Sequence, residues 1–365
     1  CDSWRLRGAV RPHARGPVRG PLPAPQRRVR ILITGGGGFI ARHFVERLTR
    51  EGVALTLYDL LPPEWDAGRA QVVIGDVRDN RTLLHAAAGC DAVLHLAAAH
   101  HDSGIAPETF FDVNAGGARN LCAVLDRLDI GNVCFLSSVA VYGSAAEPRG
   151  EETPPHPSSA YGASKLAAER VFQHWAQRGP GRRVLVIRPP VVFGAGNFAN
   201  MYALIRQIAS GRFLQIGSGQ NVKSLVYVEN LVAATLLAWR RSGAPPFEIV
   251  NVVDKPDLTS REIAETVYHA LGRRPPRLGI PLALGLALGL PFDAFSLMTG
   301  VSLPVSTARI RKYAAEQTKF EANKLAGLGF RSGVELREGL RRMVDWYARE
   351  GNRQQAMPRR PPPTL

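Results

Sequence analysis

Long apolar runs are missing from this 365-residue chain. No stretch reaches the roughly 18–20 residues that a bilayer-spanning helix needs, so a helical membrane protein is excluded as a reading. The first 30 residues also lack the apolar segment of a secretory signal, and the expected location is the cytoplasm. Cysteine is scarce. The four present (Cys1, Cys90, Cys122, Cys134) form no CxxC pair and join no histidine at zinc spacing, which argues against a disulfide framework and a zinc site. His100 and His101 are adjacent and cannot point the same way, so no metal is expected. Acids are outnumbered 31 to 46, giving a net charge of +15. That excess sits mostly at the ends: eight arginines against one acid in the first 30 residues, and three arginines with no acid after Gly351. Without aromatic residues interleaved, such ends read as solvated arms, and no specific nucleic-acid partner is expected.

What is present is an alternation. Short β-branched runs at 29–34, 54–59, 71–76, 92–97, 133–138 and 183–189 are separated by helical stretches at 38–50, 108–128 and 161–177. Strands that are apolar throughout, spaced by helices, predict an α/β fold with a Rossmann-like doubly wound parallel sheet covered on both faces. Beyond Pro189 the rhythm breaks. Helices are expected near 201–210, 229–239, 260–271 and 333–349, with a strand at 247–253. The division predicted is a disordered basic arm (1–28), a dinucleotide-binding domain (29–188 plus about 226–253), a smaller C-terminal α/β substrate lobe (189–225 and 254–350) and a disordered tail (351–365).

The first strand runs into TGGGGFIARH. Gly35 and Gly38 permit a tight turn and let a pyrophosphate approach backbone N–H groups at a helix N-terminus. Ala41 holds the third small position of that fingerprint. Asp59, at the end of the next strand and 21 residues beyond Gly38, is placed to bind the hydroxyls of an adenosine ribose. A carboxylate there repels a 2′-phosphate, and Leu60 and Leu61 offer no arginine to receive one. NAD is therefore the cofactor expected.

Further on, SSVAVYG (137–143) ends a strand, and YGASK (161–165) follows. Tyr161 and Lys165 share a helix face at i and i+4. An ammonium beside a phenol stabilises the phenolate, which suits the phenol to proton transfer. A serine at a neighbouring strand end can bond a substrate oxygen as its charge changes.

Together TGGGGFI, GDV (75–77), HLAA (95–98), SSVAVYG and YGASK resemble the extended short-chain dehydrogenase/reductase family, in its NAD-dependent epimerase/dehydratase branch. The resemblance implies that Ser138, Tyr161 and Lys165 are catalytic; Ser138 is preferred to Ser137 because it keeps the spacing of five before Gly143. It implies cofactor contacts from Gly35, Gly38, Phe39, Ile40, Asp59 and Val191 as well as Tyr161 and Lys165. Asp76 and Val77 are implied at the adenine, Leu96, Ala97 and Ala98 along the groove, and Asn114 behind it. Ser138, Asn197 and Lys223 are implied at the substrate. Val139 and Ala140 stand where a dehydratase needs an extra acid and base, which leaves oxidation and reduction at one carbinol.

The second lobe is similar to a narrower group, bacterial 4-epimerases of undecaprenyl-diphosphate-linked N-acetylglucosamine. The similarity rests on the segments 188–213, 217–230, 251–258 and 299–312. It implies C4 epimerisation of a diphosphate-linked N-acetylhexosamine through a transient 4-keto sugar, in surface glycan biosynthesis. Lys223-Ser224 replaces the Arg-Asp common in nucleotide-sugar epimerases, and Asn230 replaces an Asp, so a UDP-sugar is the second reading. A sterol or other alcohol dehydrogenase is a third. A non-catalytic dinucleotide sensor is a fourth, disfavoured because Tyr161 and Lys165 are both retained.

One segment stands apart. LGIPLALGLALGLPF (278–292) holds no charged or hydrogen-bonding side chain. Pro281 suits a helix start and Pro291 a stop, which predicts a helix of about ten residues with leucine on every side. That means burial in the lobe or contact with lipid. Arg273, Arg274 and Arg277 precede it, and the resemblance favours peripheral contact with the inner face of the cytoplasmic membrane. A homodimer through 108–128 and 161–177 is implied too. The stripe of Leu121, Val124 and Leu128 reads equally as that interface or as core.

Overall fold

The computed structural model describes residues 28–352 apart from 101–105, 144–146, 277–278, 300–306, 308–309 and 311–316. The expected arm up to residue 27, the tail from 353 and Arg277 lie outside the described residues, as does most of the segment 299–312.

Seven parallel strands form the main sheet, ordered β10-β6-β5-β4-β1-β2-β3. They are β1 (Arg30–Thr34), β2 (Ala54–Asp59), β3 (Gln71–Ile74), β4 (Ala92–His95), β5 (Asn132–Leu136), β6 (Arg183–Arg188) and β10 (Phe247–Asn251). Their apolar character has a direct cause in the pleat. Ile31 and Ile33 enter one core and Leu32 the other; Cys134 and Leu136 enter one, Val133 and Phe135 the other. Helices α1 (Phe39–Arg50) and α7 (Val228–Trp239) close the first face through Phe44, Leu48, Leu231 and Trp239. Helices α2 (Asn80–Ala87), α4 (Gly117–Leu128) and α5 (Ala160–Gln177) close the second through Leu83, Leu125, Phe172 and Trp175. Leu121 and Val124 are buried in that second core with Leu128 packed against it, so the stripe is interior and presents no outer face.

Before α4 the chain forms one α-turn, α3 (Pro107–Phe110), and a π-helical segment, Phe111–Gly116. The smaller lobe has its own core of Phe193, Tyr202, Ile205, Val267, Leu340 and Met343. It is built from α6 (Asn200–Ala209), α8 (Ser260–Ala270) and α11 (Leu336–Trp346), with the short α10 (Asn323–Gly327) following the main sheet's edge. Two small sheets join it: β7 (Val191–Phe193) parallel with β9 (Leu225–Tyr227), and β8 (Val222–Lys223) antiparallel with β11 (Leu258–Thr259). These strands of two or three residues are too short to leave a period in the sequence.

The oily segment departs from expectation. Helix α9 spans Leu282–Thr299, and Pro291 lies inside it rather than ending it. Among its described side chains and glycines the buried positions are Gly285 and Gly289, one turn apart, while Leu284, Leu288, Leu290 and Phe292 are 52, 56, 61 and 43 % exposed. A Cβ at Gly285 would stand 2.5 Å from Ile216, and one at Gly289 would stand 3.0 Å from Thr307. The helix therefore docks through its glycines and turns leucines outward, the reverse of a water-facing amphipathic helix. No described helix is long and apolar enough to cross a membrane.

Candidate active site

The strand order reverses between β1 and β4, and the crevice of such a sheet lies at that switch point. The glycine loop fills the β1 side. Gly35 takes φ +68°, and a Cβ there would lie 2.7 Å from the amide nitrogen of Ala97, so glycine lets the two loops touch. Gly38 is different. It is exposed, and a Cβ would meet only the Gly35 carbonyl at 3.3 Å. Gly38 opens α1, whose start no side chain caps. Open space before uncapped helix N–H groups fits a dinucleotide pyrophosphate. Phe39 and Ile40 are half-buried on that first turn, and Ala41 is buried beneath it.

Asp59 ends β2 beside this loop. Its carboxylate accepts from Gly37 N at 2.9 Å and Leu60 N at 2.7 Å. Burial pushes its pKa up against the pull of those bonds. Trp65 Nε1 donates to Gly37 O at 3.1 Å, pinning the loop from the other side. Asp76 is turned towards Arg78, which bonds it through Nη2 at 2.6 Å and Nε at 3.0 Å. Partial burial alone raises such a carboxyl, but Arg78 holds it below its ordinary range. The Val77 side chain is buried in the core.

On the β4 side, Leu96, Ala97 and Ala98 are half-buried along the crevice wall. Asn114, buried in the π-helical segment, fixes that wall. Its Oδ1 accepts from Ala99 N at 2.9 Å, and its Nδ2 donates to Ala99 O at 3.1 Å and Ser164 Oγ at 2.9 Å. Ser164 Oγ in turn donates to Tyr161 O at 2.8 Å. A π-bulge at a functional site is a recurrent device for turning a side chain off the helical register.

Ser138, Tyr161 and Lys165 are gathered at the end of β5. Ser138 opens a 3₁₀ turn, Val139–Tyr142, with its Oγ accepting from Ala140 N at 3.1 Å. Helix α5 abuts that turn so tightly that a Cβ on Gly162 would lie 2.4 Å from Ala140 O. Tyr161, adjacent in sequence, is half-buried against the second core. Lys165 is buried and donates its Nζ proton to Leu136 O at 2.8 Å, with the Phe135 ring centroid 4.8 Å away. Burial pushes its pKa down to about 7, against the opposing charge of Glu169.

The remaining expected residues differ among themselves. Val191 is exposed at the start of β7. Asn197 spends its amide on its own loop, donating to Val192 O and accepting from Ala199 N, both at 2.8 Å. Lys223 lies in β8, half-buried, while Ser224 beside it is turned inward onto Asp257 at 2.7 Å.

Sequence reasoning missed a buried polar cluster beneath the site. Glu169 on α5 accepts from Ser137 Oγ at 2.5 Å and from Arg188 Nη2 at 2.5 Å and Nε at 2.9 Å. His95 on β4 bonds Thr34 through Nδ1 at 2.6 Å, and its buried Nε2 has no partner. Burial, then the charge of Lys165, holds its pKa down to about 3, so the ring is neutral. The available signal was position. Glu169 is four residues past Lys165, and Arg188 closes a strand.

The model of the NAD dependent epimerase/dehydratase family matches residues 31–252. The N-acetyl-alpha-D-glucosaminyl-diphospho-ditrans,octacis-undecaprenol 4-epimerase of Escherichia coli O157:H7 is 36% identical over 317 residues, 87% of this chain and 94% of that protein. A 3beta-hydroxysteroid-dehydrogenase/decarboxylase of Arabidopsis thaliana is 27% identical over 355 residues, covering 87% of this chain and 79% of that protein. A crystal structure of a UDP-galactose 4-epimerase superposes with TM-score 0.70 at 26% identity, over 88% of this chain and 99% of that one.

Proposed function

The chain belongs to the NAD-dependent epimerase/dehydratase family, and on that premise we propose that it inverts C4 of an N-acetylhexosamine carried on a lipid diphosphate. The chemistry is supported by Lys165 bonding the Leu136 carbonyl at the end of β5, and by the start of α5, next to Tyr161, packing on the turn that Ser138 opens. Bound NAD would supply the hydride acceptor, and then the hydride donor, that exchange at the sugar's C4 requires. Tyr161 takes the proton of the C4 hydroxyl and later gives it back. Lys165, as an ammonium, favours the phenolate that accepts it. Ser138 donates to the C4 oxygen while that oxygen is a carbonyl. With the keto sugar turned over between the two transfers, hydride would reach the opposite face of the planar C4 while Tyr161 returns the proton to the C4 oxygen, and the configuration at C4 is inverted. The residue-level roles, including Asp59 at the ribose and Lys223 at the diphosphate, are part of this proposal.

The lipid carrier is supported by α9. Its outward Leu284, Leu288, Leu290 and Phe292, with exposed Leu214 on the segment that pairs with Ile280, give the lobe an apolar face. Each such side chain, about half exposed, gains roughly 1 kcal/mol on leaving water. A helix lying in the lipid interface meets a polyprenyl-linked substrate where it resides, at the inner face of the cytoplasmic membrane. A homodimer through α4 and α5 belongs to the proposal as well. It rests on their exposed residues, since Leu121 and Val124 are interior, and sedimentation tests it.

Purified protein incubated in parallel with lipid-linked and nucleotide-linked N-acetylglucosamine tests the reading. The expected result is the C4 epimer on the lipid carrier with no net NADH. Equal rates on both carriers would remove the lipid assignment, and accumulating NADH absorbance would remove epimerisation in favour of a dehydrogenase.

A further inference from the structure

Resting on the proton transfer assigned above to Tyr161 and Lys165, we infer that Glu169 is a positioning residue: the buried anion that keeps Lys165 charged and the acceptor that fixes the strand end bearing Ser138. Tyr161, Lys165 and Glu169 stand four residues apart on one face of α5. Glu169 is 3 % exposed and takes three hydrogen bonds, from Ser137 Oγ at 2.5 Å and from Arg188 at 2.5 and 2.9 Å. Ser137 adjoins Ser138, and its own amide donates to Ile187 O at 2.7 Å. Lys165 bonds the carbonyl of Leu136, one residue earlier. One carboxylate therefore ties α5, β5 and β6 together, through the neighbour of Ser138 and one helical turn beyond Lys165.

Charge makes the tie more than structural. The charged and titratable groups that act with Lys165 are Glu169 on its own helix and neutral His95 from β4, while Arg188 from β6 pairs with Glu169 and lies over the Tyr142 ring from the 3₁₀ turn. Among these, Glu169 is the sole anion, and two buried cations depend on it. Without it Lys165 sheds its proton more readily, and the phenolate of Tyr161 loses its counter-charge.

The geometry also supplies a probe. A cavity of about 240 Å³ is lined by Glu169, Arg188, Arg170 and residues 151–155. Its rim residues Glu152, Arg170 and Gln173 are exposed, so solvent reaches it past them. Formate, not much larger than the ~30 Å³ share of a water, can enter by that route if the Glu169 side chain is removed.

The experiment compares wild type, Glu169→Gln and Glu169→Ala for folding, dinucleotide affinity and kcat between about pH 6 and about pH 9, with and without formate. Glu169→Gln is expected to bind the dinucleotide as wild type does, to lose about tenfold in kcat at the alkaline end, and to lose less at the acid end. Its alkaline decline moves to lower pH by about one unit. Formate is expected to restore Glu169→Ala severalfold and to leave Tyr161→Phe unchanged. A uniform loss at every pH with no rescue, or a profile superimposable on wild type, overturns the inference. Should Glu169→Gln fail to fold, Ser137→Ala carries the test, because it keeps the ion pair and frees the strand end. A severalfold lower kcat at unchanged dinucleotide affinity is expected there, and a wild-type rate overturns the proposal. If wild type turns over no sugar on any carrier, the proposed function has failed. Glu169 is then tested by the onset of the alkaline rise in thermal stability, which Glu169→Gln moves to lower pH; an unmoved onset overturns the inference.

Discussion

Gly285 and Ile216 meet so closely that a methyl group on the glycine would stand 2.5 Å from the isoleucine's Cγ2. The contact fixes which way α9 faces. Because the glycine edge is the one that docks, the leucines on the opposite edge are free to serve a partner that is not water. Replacing Leu284 and Leu288 with Asp is therefore expected to release the protein from anionic liposomes, with a partition coefficient reduced by tenfold or more, since each change costs on the order of 1 kcal/mol or more at an interface. Co-sedimentation measures it, with dinucleotide affinity and melting temperature as controls. Undiminished liposome binding by the double variant would remove the lipid-facing role of this helix.

The same contact predicts a second variant with the opposite logic. Gly285→Leu leaves the outward face intact and wedges the docking face, so overpacking of about 1–3 kcal/mol is expected. Its melting temperature should fall, while liposome binding should persist. A variant that melts like wild type would mean that α9 is not held through this glycine.

Gly35→Ala strikes the crevice instead. The residue sits at φ +68°, and its Cβ would lie 2.7 Å from Ala97 N and 2.8 Å from the Leu96 carbonyl carbon. Strained backbone and a backbone clash together are expected to cost about 1–3 kcal/mol and to weaken dinucleotide binding by at least tenfold. Gly38→Ala, with only the Gly35 carbonyl at 3.3 Å, is expected to fold normally and to lose affinity through the methyl's intrusion on the bound phosphates. Thermal melts and dinucleotide titration separate the two. Equal stability and affinity in both variants would contradict the different surroundings of these glycines.

Tyr161→Phe keeps the ring that packs near Phe110, 6.3 Å between centroids, and deletes only the hydroxyl. General acid–base catalysis is worth roughly 10²–10⁴-fold, and a loss of that size in kcat is expected with folding and dinucleotide affinity unchanged. A variant within about threefold of wild type would show that another group moves the proton.

Much of this was legible in the residues. Strands buried on both faces announce themselves as unbroken apolar runs, which is why β1, β2, β5 and β6 were readable as members of one parallel sheet. The glycine turn, Asp59 and the Tyr161–Lys165 spacing were readable because each has a local geometric requirement. Three things were not. The π-helical segment around Asn114 has the composition of an ordinary helix, and only its wider backbone hydrogen-bond pattern distinguishes it. Glu169 and Arg188 look like solvated charges until the fold brings β6 under α5. In α9, Pro291 read as a stop, yet the helix continues to Thr299 because a residue's φ can stay helical where only one backbone donor is lost. Which edge of that helix docks depended on Ile216, some 70 residues earlier, and no periodicity carries that information.

Lys165 supplies the last prediction, through its proton. Burial brings the ammonium's pKa from an ordinary 10.5 down to about 7 in the folded chain. Below about pH 7 the group is charged in both folded and unfolded states, and the folded state carries the full cost of a buried cation. Between pH 7 and about 10.5 the unfolded chain holds a proton that the folded chain has released, so this group makes stability rise with pH across that window, by at most about 1.4 kcal/mol per unit. Activity runs the other way, because the ammonium that favours the Tyr161 phenolate disappears as pH rises through the same value. Lys165→Met removes the titration and the buried charge together. Its melting temperature is expected to exceed that of wild type most at acid pH, and the gap should close as the medium becomes alkaline. Paired thermal melts across that range measure the difference directly; a gap independent of pH would mean that Lys165 is not the titrating group and that its ammonium is not what tunes the tyrosine.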